Sequence, residues 1–148
     1  MDDPAEYPKI KSWVEEWGGD LDYVDYVKGN GDLAILVAFS RILWPKFVEV
    51  QGCVLWDRVY EESNFAHWYE NLAGDIRGIE ATLNRLRVWD LVAWDDVDED
   101  WQALKFTAEN IARVWRAALG AQFPGRAFDV GVIDSEDGPI VAFCSGSK

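Results

Sequence analysis

The chain predicts an α+β domain: about five or six helices packed with a small antiparallel sheet of three or four strands, closed by a C-terminal β-hairpin. Three observations predict it. Apolar residues recur with helical spacing in several separate segments, most clearly from Trp101 to Leu119. Two other stretches, around Phe47–Leu55 and Phe128–Phe143, contain short runs that alternate with the strand period of two. The 148 residues, 49% of them apolar, suffice for one core, and no Pro/Gly/Ser linker or internal repeat divides the chain. One domain over residues 1–148 is therefore expected, with residues 1–7 a loose acidic tail.

Pro8 opens the first helix, in which Ile10, Trp13, Val14 and Trp17 share one face and Gly18-Gly19 makes the stop. Asp20 is expected to cap a second short helix carrying Leu21, Tyr23, Val24 and Val27, ended by Gly29-Asn30-Gly31. These two would form a lid or hairpin at one edge. Asp32 caps LAILVAFSRILW, which is apolar almost all round and stops before Pro45. It is expected to be the central core helix. In KFVEVQGCVLW, Val48, Val50, Val54 and Trp56 fall on one strand face, and Gly52 marks a bulge or a hairpin turn. This strand should join the C-terminal hairpin.

Helical spacing returns at Phe65, Trp68, Tyr69 and Leu72, and Gly74-Asp75 separates that helix from one presenting Ile76, Ile79, Leu83 and Leu86. So short a link predicts an antiparallel helical hairpin. Asp96–Glu99 matches a D-x-x-E capping pattern, placing Asp98, Glu99 and Asp100 near a first turn where the helix dipole favours carboxylates. That helix presents Trp101, Leu104, Ala108, Ile111, Ala112, Trp115 and Leu119 on one face and ends near Gly120. The strands AFDVGVID and PIVAF follow, joined by SEDG, with a polar SGSK end.

The net charge of −13 disfavours two classes of partner. Nucleic acid is bound mainly through Lys and Arg that replace its counterions, and an anionic membrane is repelled for the same reason. A basic protein, by contrast, is attracted. Two cysteines are too few for a disulfide framework, and MDDPAEYPKIK lacks the charged start and apolar centre of a signal peptide. The longest apolar run is too short to cross a bilayer. A cytoplasmic protein with reduced thiols is the expectation.

Catalytic and metal signatures are missing from the pattern. Asp96, Asp98 and Asp100 alternate as in a calcium loop, but the Gly and Glu positions are filled by Trp101 and Thr107. One His and two distant Cys give no zinc spacing. Ser63 stands one helical turn before His67, the sole histidine, without a nucleophile motif around it. Lys28-Gly29-Asn30-Gly31-Asp32 matches no phosphate loop. No catalytic residue, metal or cofactor is assigned.

The stretch WDLVAWDDVDEDW, Trp89–Trp101, is the most unusual. It holds six carboxylates and no base. Arg85, Arg87, Arg113 and Arg116 flank it and are expected to neutralise it in part. Trp94 fits no helix stripe, so an exposed indole ringed by carboxylates is expected, competent as a hot spot for a Lys/Arg-rich surface. The candidate partner-binding residues are Asp90, Trp94, Asp95, Asp96, Asp98 and Asp100. The expected function is an acidic protein-binding domain, by charge and size of the inhibitor or immunity type that neutralises a basic partner such as a nuclease toxin. The alternatives are a small-ligand-binding domain or hydrolase with carboxylates in an aromatic pocket, and a structural or regulatory subunit of an oligomer.

Overall fold

The computed structural model describes residues 1–146; the last two residues of the polar end lie outside them. It is an α+β fold of six α-helices and two small antiparallel sheets. The elements are α1 (Pro8–Glu16), α2 (Tyr23–Asn30), α3 (Leu33–Leu43), β1 (Phe47–Val50), β2 (Cys53–Trp56), α4 (Glu62–Asn71), α5 (Ile76–Leu83), β3 (Arg85–Arg87), α6 (Asp98–Gln122), β4 (Phe128–Ser135) and β5 (Gly138–Ser145).

The stripe on α6 organises the main core. Leu104, Ala108, Ile111, Ala112, Trp115, Ala118 and Leu119 are buried, and the helix runs two residues past Gly120. It lies on the three-stranded sheet, ordered β3-β5-β4, whose Leu86, Val130, Val141 and Phe143 meet it. Trp115 is completely buried, in edge contact with Trp56 at 5.2 Å and Phe143 at 5.9 Å. Removing an indole of that size from water contributes roughly 4–6 kcal/mol of gross transfer energy.

Two expectations about strands are corrected. Residues 85–87 leave the helix that spacing extended to Leu86 and form β3, an edge strand on β5. The Phe47–Trp56 stretch is a hairpin of its own, not a strand of the C-terminal sheet. Gln51 and Gly52 turn it with φ of +50° and +85°, the left-handed pair of a type I′ turn. The turn resets the alternation. Phe47, Val54 and Trp56 enter the main core, while Val48, Val50, Cys53 and Leu55 enter a second cluster with Phe65 and Ile79.

The reason β2 does not pair with β5 lies on α5. Glu80 and Asn84, one turn apart, are both completely buried. Glu80 accepts from the amides of Val54 (2.8 Å) and Ser145 (2.8 Å) and from the Ser145 hydroxyl (3.0 Å). Asn84 accepts from the Trp56 amide (3.0 Å) and donates to the Val54 carbonyl (2.9 Å). The outer edge of β2 is thus satisfied by side chains, which stand between it and the end of β5. Arg126 joins this cluster, donating to the Gly52 carbonyl and the Ser145 hydroxyl. Helix α5 accordingly lies against β2 and β5, and α4 meets it through Phe65, Tyr69 and Leu72 in the second cluster instead of along a helical hairpin.

The largest correction concerns α3, which is not central. None of its residues is buried, and Gly31–Ala38 are all exposed. Only Phe39, Ile42 and Leu43 reach the main core. The Ile42 carbonyl accepts from the Trp115 indole at 2.8 Å, and Gln122 holds the Pro45 carbonyl. The centre is already filled by α6, so only the C-terminal end of α3 finds cover. Helices α1 and α2 bury nothing fully either; Trp13 packs edge-on against Tyr26 and against the backbone of Gly29, and Trp17 is exposed. Helix α2 is capped by Asp22 with a reciprocal Asp25 box, not by Asp20.

Candidate functional site

Residues 91–97 form the link between the main sheet and α6, and the first turn of α6 carries Asp98, Glu99 and Asp100. The N-cap is Val97, with no side-chain cap, so Asp96 does not do the capping its spacing suggested. Asp96 instead accepts the Trp101 indole N–H at 2.7 Å, and Asp100 accepts the Asp95 amide at 2.7 Å. These bonds fold the loop back on the helix it precedes.

The N-terminal segment closes over this loop. Pro4–Glu6 is a 3-10 turn capped by Asp3, and the Tyr7 hydroxyl donates to Asp100 at 2.8 Å. That bond, with the carboxylate charge behind it, holds the Tyr7 phenol above its ordinary pKa. Tyr7, at the end of the segment expected to be a loose tail, thus reaches a partner 93 residues away in sequence. Between the segment and α6 lies a groove of about 260 Å³, lined by Tyr7, Ile10, Val92, Trp94, Leu104 and Phe106 among others.

Trp94 is not the fully exposed indole expected. It is half-buried against the main core and meets Trp101 edge-on at 5.2 Å. Asp95, Asp96 and Asp98 are exposed and Asp100 half-buried, all on the loop and first turn. Asp90 is separate: it lines another cleft, of about 370 Å³, with Arg58, Arg85 and Arg87. The flanking arginines do not neutralise the loop. Arg85 donates to the Ala81 carbonyl and Arg116 to the Val130 carbonyl. Among the described residues, no ion pair involves residues 90–100.

The charge is concentrated in two segments of the chain. Residues 1–32 hold nine acids and three bases, and residues 90–100 hold six acids and no base. Each segment therefore carries −6, leaving −1 of the −13 for everything else. The two segments meet where Tyr7 donates to Asp100.

Other constellations do not assemble. Ser63 donates to the Glu61 carboxylate, while His67 pairs with Asn71 at 2.9 Å. The Tyr7–Phe106 groove has a single lining carboxylate, Asp100, whose two oxygens already accept hydrogen bonds, so no facing acid pair is assembled in it. Among the described residues no group of three or more His, Cys, Asp or Glu is placed to hold a metal. Cys53 and Cys144 are free. No helix among the described residues is long and apolar enough to cross a membrane.

No family model, curated protein or solved structure matches this chain. The site therefore stands on its own chemistry. Spacing missed Tyr7, whose partner is distant in sequence, and the exposed apolar side chains of α2 and α3. A helix apolar all round was the available signal for the latter, since such a helix needs cover on every side.

Proposed function

We propose that the chain is a cytoplasmic protein-binding domain that recognises a basic protein surface through its acidic side, as an inhibitor or immunity-type protein neutralising a basic partner such as a nuclease toxin. The observation that carries this reading is the run of six carboxylates at residues 90–100, free of ion pairs among the described residues and met by the acidic N-terminal segment through Tyr7 and Asp100. Unpaired carboxylates retain their long-range field, which steers a cationic partner and speeds encounter. Asp95, Asp96, Asp98 and Asp100 form the charged part of the contact, with Trp94 and the groove beside it offering an apolar anchor. Asp90, set among arginines, contributes least.

The test compares the wild type with an Asp95→Asn/Asp98→Asn/Glu99→Gln variant, which leaves the bonds of Asp96 and Asp100 intact. Each is immobilised and exposed to the basic proteins of the host at low and at high salt. The expected result is a discrete protein held at low salt, released at high salt, and associating about tenfold more slowly with the variant. Identical retention by both forms would refute the reading.

A further inference from the structure

The acidic side leaves the largest anomaly of the molecule untouched: the apolar face built by α2 and α3. Tyr23, Val24 and Val27 on α2 stand beside Leu33 and Leu36 on α3 around an open groove. From Leu33 through Val37 and Ser40 to the C-cap Trp44, residues of α3 recur at i, i+4, i+7 and i+11, the spacing of a helix-pairing seam. Leu33 is 76% exposed and Val37 62%. Tyr23, Val24, Val27, Leu36 and Trp44 are exposed beside them, so the face is a contiguous apolar patch of the kind that marks an interaction surface.

We infer that this face is covered by a second copy of the chain, packed two-fold with the α3 helices antiparallel. Charge at the two ends of the face selects this occupant. Residues 20–32, which build the α2 side of the groove and lead into the N-terminal end of α3, carry Asp20, Asp22, Asp25 and Asp32 against Lys28, which pairs with Asp25. At its C-terminal end Arg41 and Lys46 line a second groove with Trp44 and Gln122. Two antiparallel copies bring the acidic end of each against the basic end of the other, so the face is complementary to itself. A uniformly basic partner would meet Arg41 and Lys46 with like charge, and an anionic membrane would meet the four carboxylates. The seam centres the two-fold axis between Val37 and Ser40, so Leu33 of one copy faces Trp44 of the other.

The experiment measures the mass of the full chain in solution by sedimentation velocity over a hundredfold range of concentration. A dimer is expected, and Leu33→Glu/Val37→Glu should weaken it roughly 100-fold or more while leaving the circular dichroism unchanged, because both side chains are exposed. Val37→Cys/Ser40→Cys, which face each other across the axis, should form an intermolecular disulfide under mild oxidation, whereas Glu136→Cys on the β4–β5 turn should not. A monomer at every concentration overturns the proposal, as does a dimer that survives the double substitution. Neither result bears on the 90–100 loop, whose substitutions at Asp95, Asp98 and Glu99 lie on other elements.

Discussion

Replacing Glu80 tests whether a buried side chain, and not strand pairing, holds β2 in place. Glu80→Ala removes the acceptor of three hydrogen bonds: the Val54 amide, the Ser145 amide and the Ser145 hydroxyl. The hydroxyl can turn to another acceptor, but the Val54 amide lies on a buried strand and Ser145 at a half-buried strand end. Each orphaned donor costs about 1–3 kcal/mol, and the vacated space costs more because the walls relax only in part. The expected destabilisation is about 3–5 kcal/mol, a large share of the roughly 5–15 kcal/mol that a domain has in total. Glu80→Gln keeps the volume but turns an NH₂ toward one of two amide donors, so about 2–3 kcal/mol should still be lost. Urea unfolding followed by tryptophan fluorescence and by circular dichroism reads both values, and the melting temperature of the alanine variant should fall by roughly 10 °C. Glu80→Gln within about 0.5 kcal/mol of wild type, the range of ordinary surface substitutions, would refute the bridging role.

Four further outcomes follow from the same structure. Tyr7→Phe should cost about 0.5–1 kcal/mol and expose residues 1–10 to proteolysis, with the α6 core unchanged. Because the folded-state pKa of Tyr7 is raised, its contribution is complete below the unfolded value of 10.0 and is lost as pH rises through the higher folded value, so the N-terminal segment should release only in strong alkali. The Cys53 thiol is pushed up to about 11, first by burial and then by the charge of Glu80, so disulfide-exchange reagents at pH 8 should modify it only on unfolding, while half-buried Cys144 reacts in the native protein. Gly138→Ala should cost about 3 kcal/mol or more, since φ is +140° there and a Cβ would lie 2.5 Å from Cβ of Trp89; thermal melting checks it.

Local pattern carried most of the fold and little of its arrangement. The α6 stripe was legible from Leu104 to Leu119 except for Ala118, because a 25-residue amphipathic helix states its buried face many times over. Trp101, expected in the stripe, turns to Trp94 and Asp96 instead. The faces of β1 and β2 were not, since alternation was followed straight through Gln51-Gly52, where the turn swaps one face for the other. Glu80 leaves a trace in the sequence: Ile76, Ile79 and Leu83 put position 80 inside the same stripe, and a carboxylate there, one turn from Asn84, has to meet buried donors. The candidate site divides in the same way. Charge density picked out the 90–100 loop, but Trp94 and Asp100 are committed to Trp101 and Tyr7, contacts that no spacing within the loop encodes. The case of α3 goes further. Its apolar surface said correctly that water is the wrong neighbour, but periodicity names the face that needs cover and never the body that supplies it. With Trp115 already at the centre of the main core and only Phe39, Ile42 and Leu43 reaching it, Leu33 and Val37 stay exposed on the single chain, and the second copy inferred above is the body proposed to cover them.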